Sequence, residues 1–108
     1  MTTNFNNIFN DIPSLVIGEN FSELLRCQNI VIERIVSSDK PDNIIYNQPQ
    51  DEWVILLQGK ATLQLKNDII NLTSGDYLFI PANTPHQVIK TSFEPCCIWL
   101  AIHIKVET

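Results

Sequence analysis

The sequence predicts an all-β fold, a small antiparallel sandwich or barrel, on three observations. From Ile30 onward the 108-residue chain breaks into eight short β-rich runs. Each run is separated from the next by Gly, Pro, Asn, Asp or Ser, the residues that turns require. The hydrophobic content of 44% suits a single ordinary core and leaves no room for a second domain.

Residues 1–29 read as an Asn-rich lead-in, and residues 30–108 as the barrel. Within the lead-in, Asn20 is followed three positions later by Glu23 and then by Leu24 and Leu25. That order of capping residue, acid and apolar pair predicts a helix of one or two turns. The barrel strands follow as IVIERIV from Ile30, IIYN from Ile44, WVILLQ from Trp53, ATLQLK from Ala61, IINL from Ile69, YLFI from Tyr77, HQVIK from His86 and CCIWLAIHIKV from Cys96. Gln58-Gly59-Lys60 and Asn67-Asp68 sit where hairpin turns are needed, so the strands around them are expected to form a three-stranded meander. Pro49, Pro81 and Pro85 lie at the edges of runs, where a missing ladder donor is tolerated. Gly75 precedes the Tyr77 strand at a tight turn that calls for positive φ.

Charge and composition exclude several functions. Seven Lys and Arg against twelve Asp and Glu give a net charge of −5, and the cations are scattered from Arg26 to Lys105 without forming a stripe. Neither nucleic acid nor an anionic membrane surface is an expected partner. No apolar run approaches the roughly 18 residues of a membrane span, and the first residues lack the basic flank and apolar stretch of a secretion signal. A cytoplasmic location is the expectation. Cys27 stands alone while Cys96 and Cys97 are neighbours in a strand, so free thiols packed as small hydrophobes are expected rather than a disulfide framework. No Gly-x-Ser-x-Gly elbow is present, and Gly18, Gly59 and Gly75 are too dispersed for a phosphate-cradling loop.

Two stretches carry a family resemblance. Glu52 and Gly59 reproduce a Glu-x6-Gly spacing, and Gly75, Pro81, Asn83 and His86 follow Gly-x5-Pro-x-Gly-x2-His with Asn at the second glycine. Together these segments resemble the two signature motifs of the cupin superfamily over roughly Ile30 to Ile104. Asn can replace Gly where φ is positive. The resemblance implies a cupin barrel, the double-stranded β-helix or jelly roll, of the short bacterial type. It also marks departures: the usual first-motif histidines fall on Tyr46 and Gln48, and Lys90 stands where Asn is usual.

Parity indicates how the remaining polar residues could converge. Tyr46, Gln48 and Glu52 share one parity and would face the interior on a continuous strand, with Pro49 a possible bend. If the His86 and Trp99 runs pair as a hairpin with Lys90 opposite Trp99, His86 and His103 fall opposite each other on one face. Glu52, His86 and His103 would then offer a carboxylate and two imidazoles, with Gln48 a weak fourth donor, to Fe²⁺, Mn²⁺, Ni²⁺ or Zn²⁺. Tyr46, Gln48 and Trp99 are the candidate ligand-binding residues of the pocket.

Three functions remain open at this level. The chain could bind a small polar molecule in the barrel without needing a metal. It could be a metal-dependent isomerase or dioxygenase using Glu52, His86 and His103. It could serve mainly as an association module, with the IVIERIV strand at the interface; a homodimer is expected in all three cases.

Overall fold

The computed structural model describes residues 5–106 and contains eight strands: β1 (Glu19–Cys27), β2 (Ile30–Ser37), β3 (Asp51–Gln58), β4 (Lys60–Leu65), β5 (Asp68–Thr73), β6 (Tyr77–Ile80), β7 (His86–Thr91) and β8 (Cys97–Ile104). They form two antiparallel sheets, one of five strands in the order β1-β2-β8-β3-β6 and one of three in the order β5-β4-β7. The all-β prediction holds, and among the described residues no helix is long and apolar enough to cross a membrane.

The expected N-terminal helix is a strand instead. Glu19 to Cys27 pairs along β2, and a two-residue turn with Gln28 at φ 54° closes the hairpin. The local helix signal at Asn20 to Leu25 is overridden because the ladder with β2 engages eight residues of the strand at once. A bulge between Glu23 and Leu25 breaks the alternation of this strand. The barrel sheet therefore begins at Glu19 rather than Ile30.

The two sheets enclose the core. Along β3 burial alternates strictly, with Glu52, Val54 and Leu56 inward, and β8 supplies Cys97, Trp99, Ala101 and His103 to the same side. Ala61, Leu63 and Leu72 meet them from the smaller sheet. Leu56 is fully buried, a burial worth roughly 1.5–3 kcal/mol relative to exposure.

Four expectations about the strands change. β3 and β4 belong to different sheets, so the predicted meander reduces to the β4–β5 hairpin. Gly59 is the corner between the sheets: its φ is 96°, and a Cβ there would meet Cys97 Sγ and Ser92 Oγ at 2.9 Å. β7 pairs with β4 whereas β8 lies between β2 and β3, so the expected hairpin of the His86 and Trp99 runs does not form. The IVIERIV strand is flanked on both sides and is not an edge. IIYN contributes only a bridge at Tyr46, because the chain up to Gln50 runs as a connection into β3. Pro81 follows β6 directly and Pro85 immediately precedes β7, as expected of residues that cannot donate to a ladder.

All three cysteines are free, as expected; Cys97 is buried and Cys96 half-buried, whereas Cys27 is exposed at the end of β1 rather than packed as a small hydrophobe. Ahead of β1, the backbone carbonyls of Ile8, Asn10 and Asp11 accept from the Arg34 guanidinium at 3.1, 2.6 and 3.2 Å. This fastens the lead-in to Arg34 of β2.

Candidate functional site

Strand register brings polar side chains to one end of the barrel. In the larger sheet, Glu52 on β3 lies directly opposite His103 on β8, and His103 lies opposite Val31 on β2. Glu33, two residues further along β2, reaches diagonally to His103. From the smaller sheet His86 opens β7, opposite Leu65. The two histidines therefore approach from opposing sheets rather than from neighbouring strands of one hairpin.

A connection holds the remaining polar groups in place. Tyr46 and His86 exchange backbone hydrogen bonds of 2.8 and 2.9 Å, and their rings stack with centroids 5.8 Å apart. Asn83, at φ 59° as its place in the motif requires, donates its N–H to the Gln48 carbonyl at 2.7 Å. The second motif's loop thus anchors the segment that carries Gln48 and Tyr46.

These residues line a small chamber of about 60 Å³ inside the barrel, bounded by Tyr46, Gln48, Glu52, His86 and His103 together with Glu19 and Glu33. Ile35, Val54, Leu63 and Trp99 form its apolar floor and walls. All six sequence-predicted site residues border it. The chamber adjoins a vestibule of about 520 Å³ where Arg26 and Lys105 stand, and both spaces share Phe21, Glu33, Gln48 and His103.

Hydrogen bonds orient each imidazole. His86 Nδ1 lies 2.9 Å from the Thr84 carbonyl and must donate to it, which leaves Nε2 facing Glu52 Oε1 at 3.8 Å. His103 is engaged at both nitrogens, with Gln50 Nε2 3.2 Å from Nδ1 and Glu33 Oε1 2.7 Å from Nε2. The Glu33 hydrogen bond raises the His103 pKa above its ordinary 6.5 against the opposing effect of burial. Burial raises Glu52, only partly offset by His103 and His86. Burial likewise raises Glu19, although its Oε2 accepts from Ser37 Oγ at 2.6 Å. Ser37 in turn accepts from Trp99 Nε1 at 3.0 Å, so the candidate wall residue Trp99 also fixes the serine that orients Glu19. Tyr46 is raised by burial and then by the carboxylates of Glu19, Asp42, Glu33 and Glu52. Gln48 Oε1 is buried and has no hydrogen-bond partner.

This donor set does not make a metal centre. Among the described residues no three His, Cys, Asp or Glu side chains are placed to hold one ion. Tyr46 and Gln48 occupy the positions of the missing motif histidines, and His103 Nε2 is occupied by Glu33. What remains chemically is a buried carboxylate and imidazole, Glu52 and His86, 3.8 Å apart beside an unsatisfied amide oxygen.

Glu19 and Glu33 were not among the sequence candidates. Both faces of IVIERIV are apolar with one charge each, so parity alone cannot say whether Glu33 or Arg34 turns inward. Glu19 lay in the stretch assigned to the lead-in. Glu33's inward parity with Val31 and Ile35 was the available signal, legible only once His103 was known to be inward.

The cupin domain family model matches residues 41–103. No curated protein matches the chain. Among solved structures, a protein provisionally named a mannose-6-phosphate isomerase from Ralstonia eutropha JMP134 is 33% identical, aligning 96% of this chain with 100% of its own at a TM-score of 0.85. A cupin superfamily protein from Desulfitobacterium hafniense DCB-2 is 19% identical over 88% of this chain and 84% of its own, with a TM-score of 0.77. A Streptococcus pyogenes protein of unknown function is 16% identical over 100% of this chain and 92% of its own, with a TM-score of 0.81. The latter two likenesses establish the fold alone.

Proposed function

We propose that this chain, which belongs to the cupin domain family, binds a small polar molecule inside its barrel. The observation that carries the reading is Gln48 Oε1, a buried acceptor without a partner on the wall shared with Glu52 and His86. An unpaired buried polar atom costs roughly 1–3 kcal/mol, and a ligand donor would remove that cost. Tyr46 and Trp99 give the chamber flat walls, and the vestibule provides access.

A second reading is a sugar isomerase, favoured by the 33% identity to the Ralstonia protein. In that reading Glu52 and His86 would exchange a proton with the substrate, since one carries a raised pKa and the other presents Nε2 toward it. A metal-dependent version, isomerase or dioxygenase, requires His103 to leave Glu33 before it can coordinate.

Native mass spectrometry and elemental analysis of protein purified without added metal separate these readings. A small organic adduct that disappears in Gln48→Leu supports the binding function. Near-stoichiometric transition metal that disappears in His86→Ala supports the metal enzyme instead. Purification with neither, together with failure to take up small polar compounds, would contradict both.

A further inference from the structure

The chamber carries more acceptors than donors and an excess of carboxylates. Three carboxylates face it, from Glu19, Glu33 and Glu52, along with the unpartnered Gln48 Oε1 and the Nε2 of His86. No Lys or Arg lines it. The N–H of His103 is spent on Glu33 and that of Trp99 on Ser37, which leaves the Tyr46 hydroxyl and the Gln48 amide N–H groups as the side-chain donors of the lining. An anion entering this space would meet three carboxylates and no Lys or Arg, the His103 imidazole being already paired with Glu33, so a phosphate or carboxylate group is disfavoured. A group with several N–H donors and a positive charge matches it.

Resting on the ligand-binding reading above, we propose that the chamber seats the ammonium group of a small primary amine. An ammonium offers three donors and no acceptor, complementary to the orphan amide oxygen and the carboxylates around it. About 60 Å³ accommodates a compact head group but not a whole metabolite. The body of the molecule would lie in the vestibule of about 520 Å³, where Arg26 and Lys105 can meet polar or anionic substituents. Arg26 is held there by Glu23 at 2.6 Å. The raised pKa of Glu19 fits this reading, because burial without a counter-cation is its main cause.

The test uses three probes of matched size and different charge: propylammonium, propanol and propionate. Each is titrated at neutral pH into the full-length protein while the side-chain NMR signals of His86 and Trp99 are followed. Propylammonium is expected to shift both signals at millimolar concentration, with the other two silent. Glu19→Gln, which can still accept from Ser37, should weaken the amine about tenfold, the loss of one close charge contact. Glu52→Gln serves as the second variant should Glu19→Gln fold poorly. If propanol or propionate shifts these signals as strongly, the chamber is a ligand site but the ammonium assignment fails. If the amine shifts them equally in wild type and in whichever variant folds, it is held elsewhere on an acidic protein and the assignment fails too. Silence from all three probes also ends it, while an adduct lost in Gln48→Leu would still sustain the broader binding reading.

Discussion

His103 Nε2 donates to Glu33 Oε1 across 2.7 Å, joining β8 to β2 at the mouth of the barrel. With Gln50 on the other ring nitrogen, this pair holds the imidazole against the chamber wall.

The first prediction concerns its titration. The Glu33 contact raises the His103 pKa, so the charged form persists above pH 6.5. The stabilisation is fully present below 6.5 and is lost as pH rises through the folded value. NMR titration of the imidazole should show this, and Glu33→Gln should lower the midpoint. A midpoint unchanged by that substitution would mean that Glu33 does not set it.

Glu19 supplies a prediction of the same sign from a different chemistry. Burial raises its carboxyl above 4.5, so its contribution is most favourable below pH 4.5 and is lost as pH rises through the folded value. Glu19→Gln should therefore stabilise the protein at neutral pH by roughly 1 kcal/mol, the low end of the cost of an under-compensated buried polar group. Denaturant melts at neutral pH and at pH 4 would check this, the gain shrinking at the acid end.

Gly59 turns the chain from the larger sheet into the smaller one at φ 96°, against Cys97 and Ser92. Gly59→Ala adds both strain and a clash with packed neighbours, and should cost about 1–3 kcal/mol in a thermal or denaturant melt. Gly75→Ala shares the φ of 96° but meets open space, so it should cost less. Equal losses would show that contact at Gly59 contributes nothing.

Self-association is expected through the outer face of the five-stranded sheet. Leu25, Ile32, Ile102, Trp53 and Phe79 lie in register across all five strands, an uncharged row that a second copy could match about a two-fold axis. Light scattering should find a dimer for the native chain and a monomer for Ile32→Glu. A dimer that survives the substitution would place the interface elsewhere.

The alternation at Glu52, Val54 and Leu56 and the Gly and Pro punctuation made the β architecture legible in the sequence. The motif spacing made Glu52 and His86 legible as site residues. Pairing was not legible in the same way, since His86 and His103 read as partners in one hairpin whereas sheet packing brings them together from opposite sides. Local chemistry at Asn20 to Glu23 favoured a helix because it carries no record of the long-range ladder that claims those residues for β1. Glu19 and Glu33 stayed hidden for a related reason: their inward direction is decided by cross-strand register and a bulge.

The most direct test of the central claim is a crystallographic soak with a set of small polar compounds. Bound molecules are expected between Gln48, Glu52 and His86, with a ligand donor against Gln48 Oε1. Compounds found on the outer surface alone, with the chamber excluding every member of the set, would contradict a ligand-binding role for the barrel.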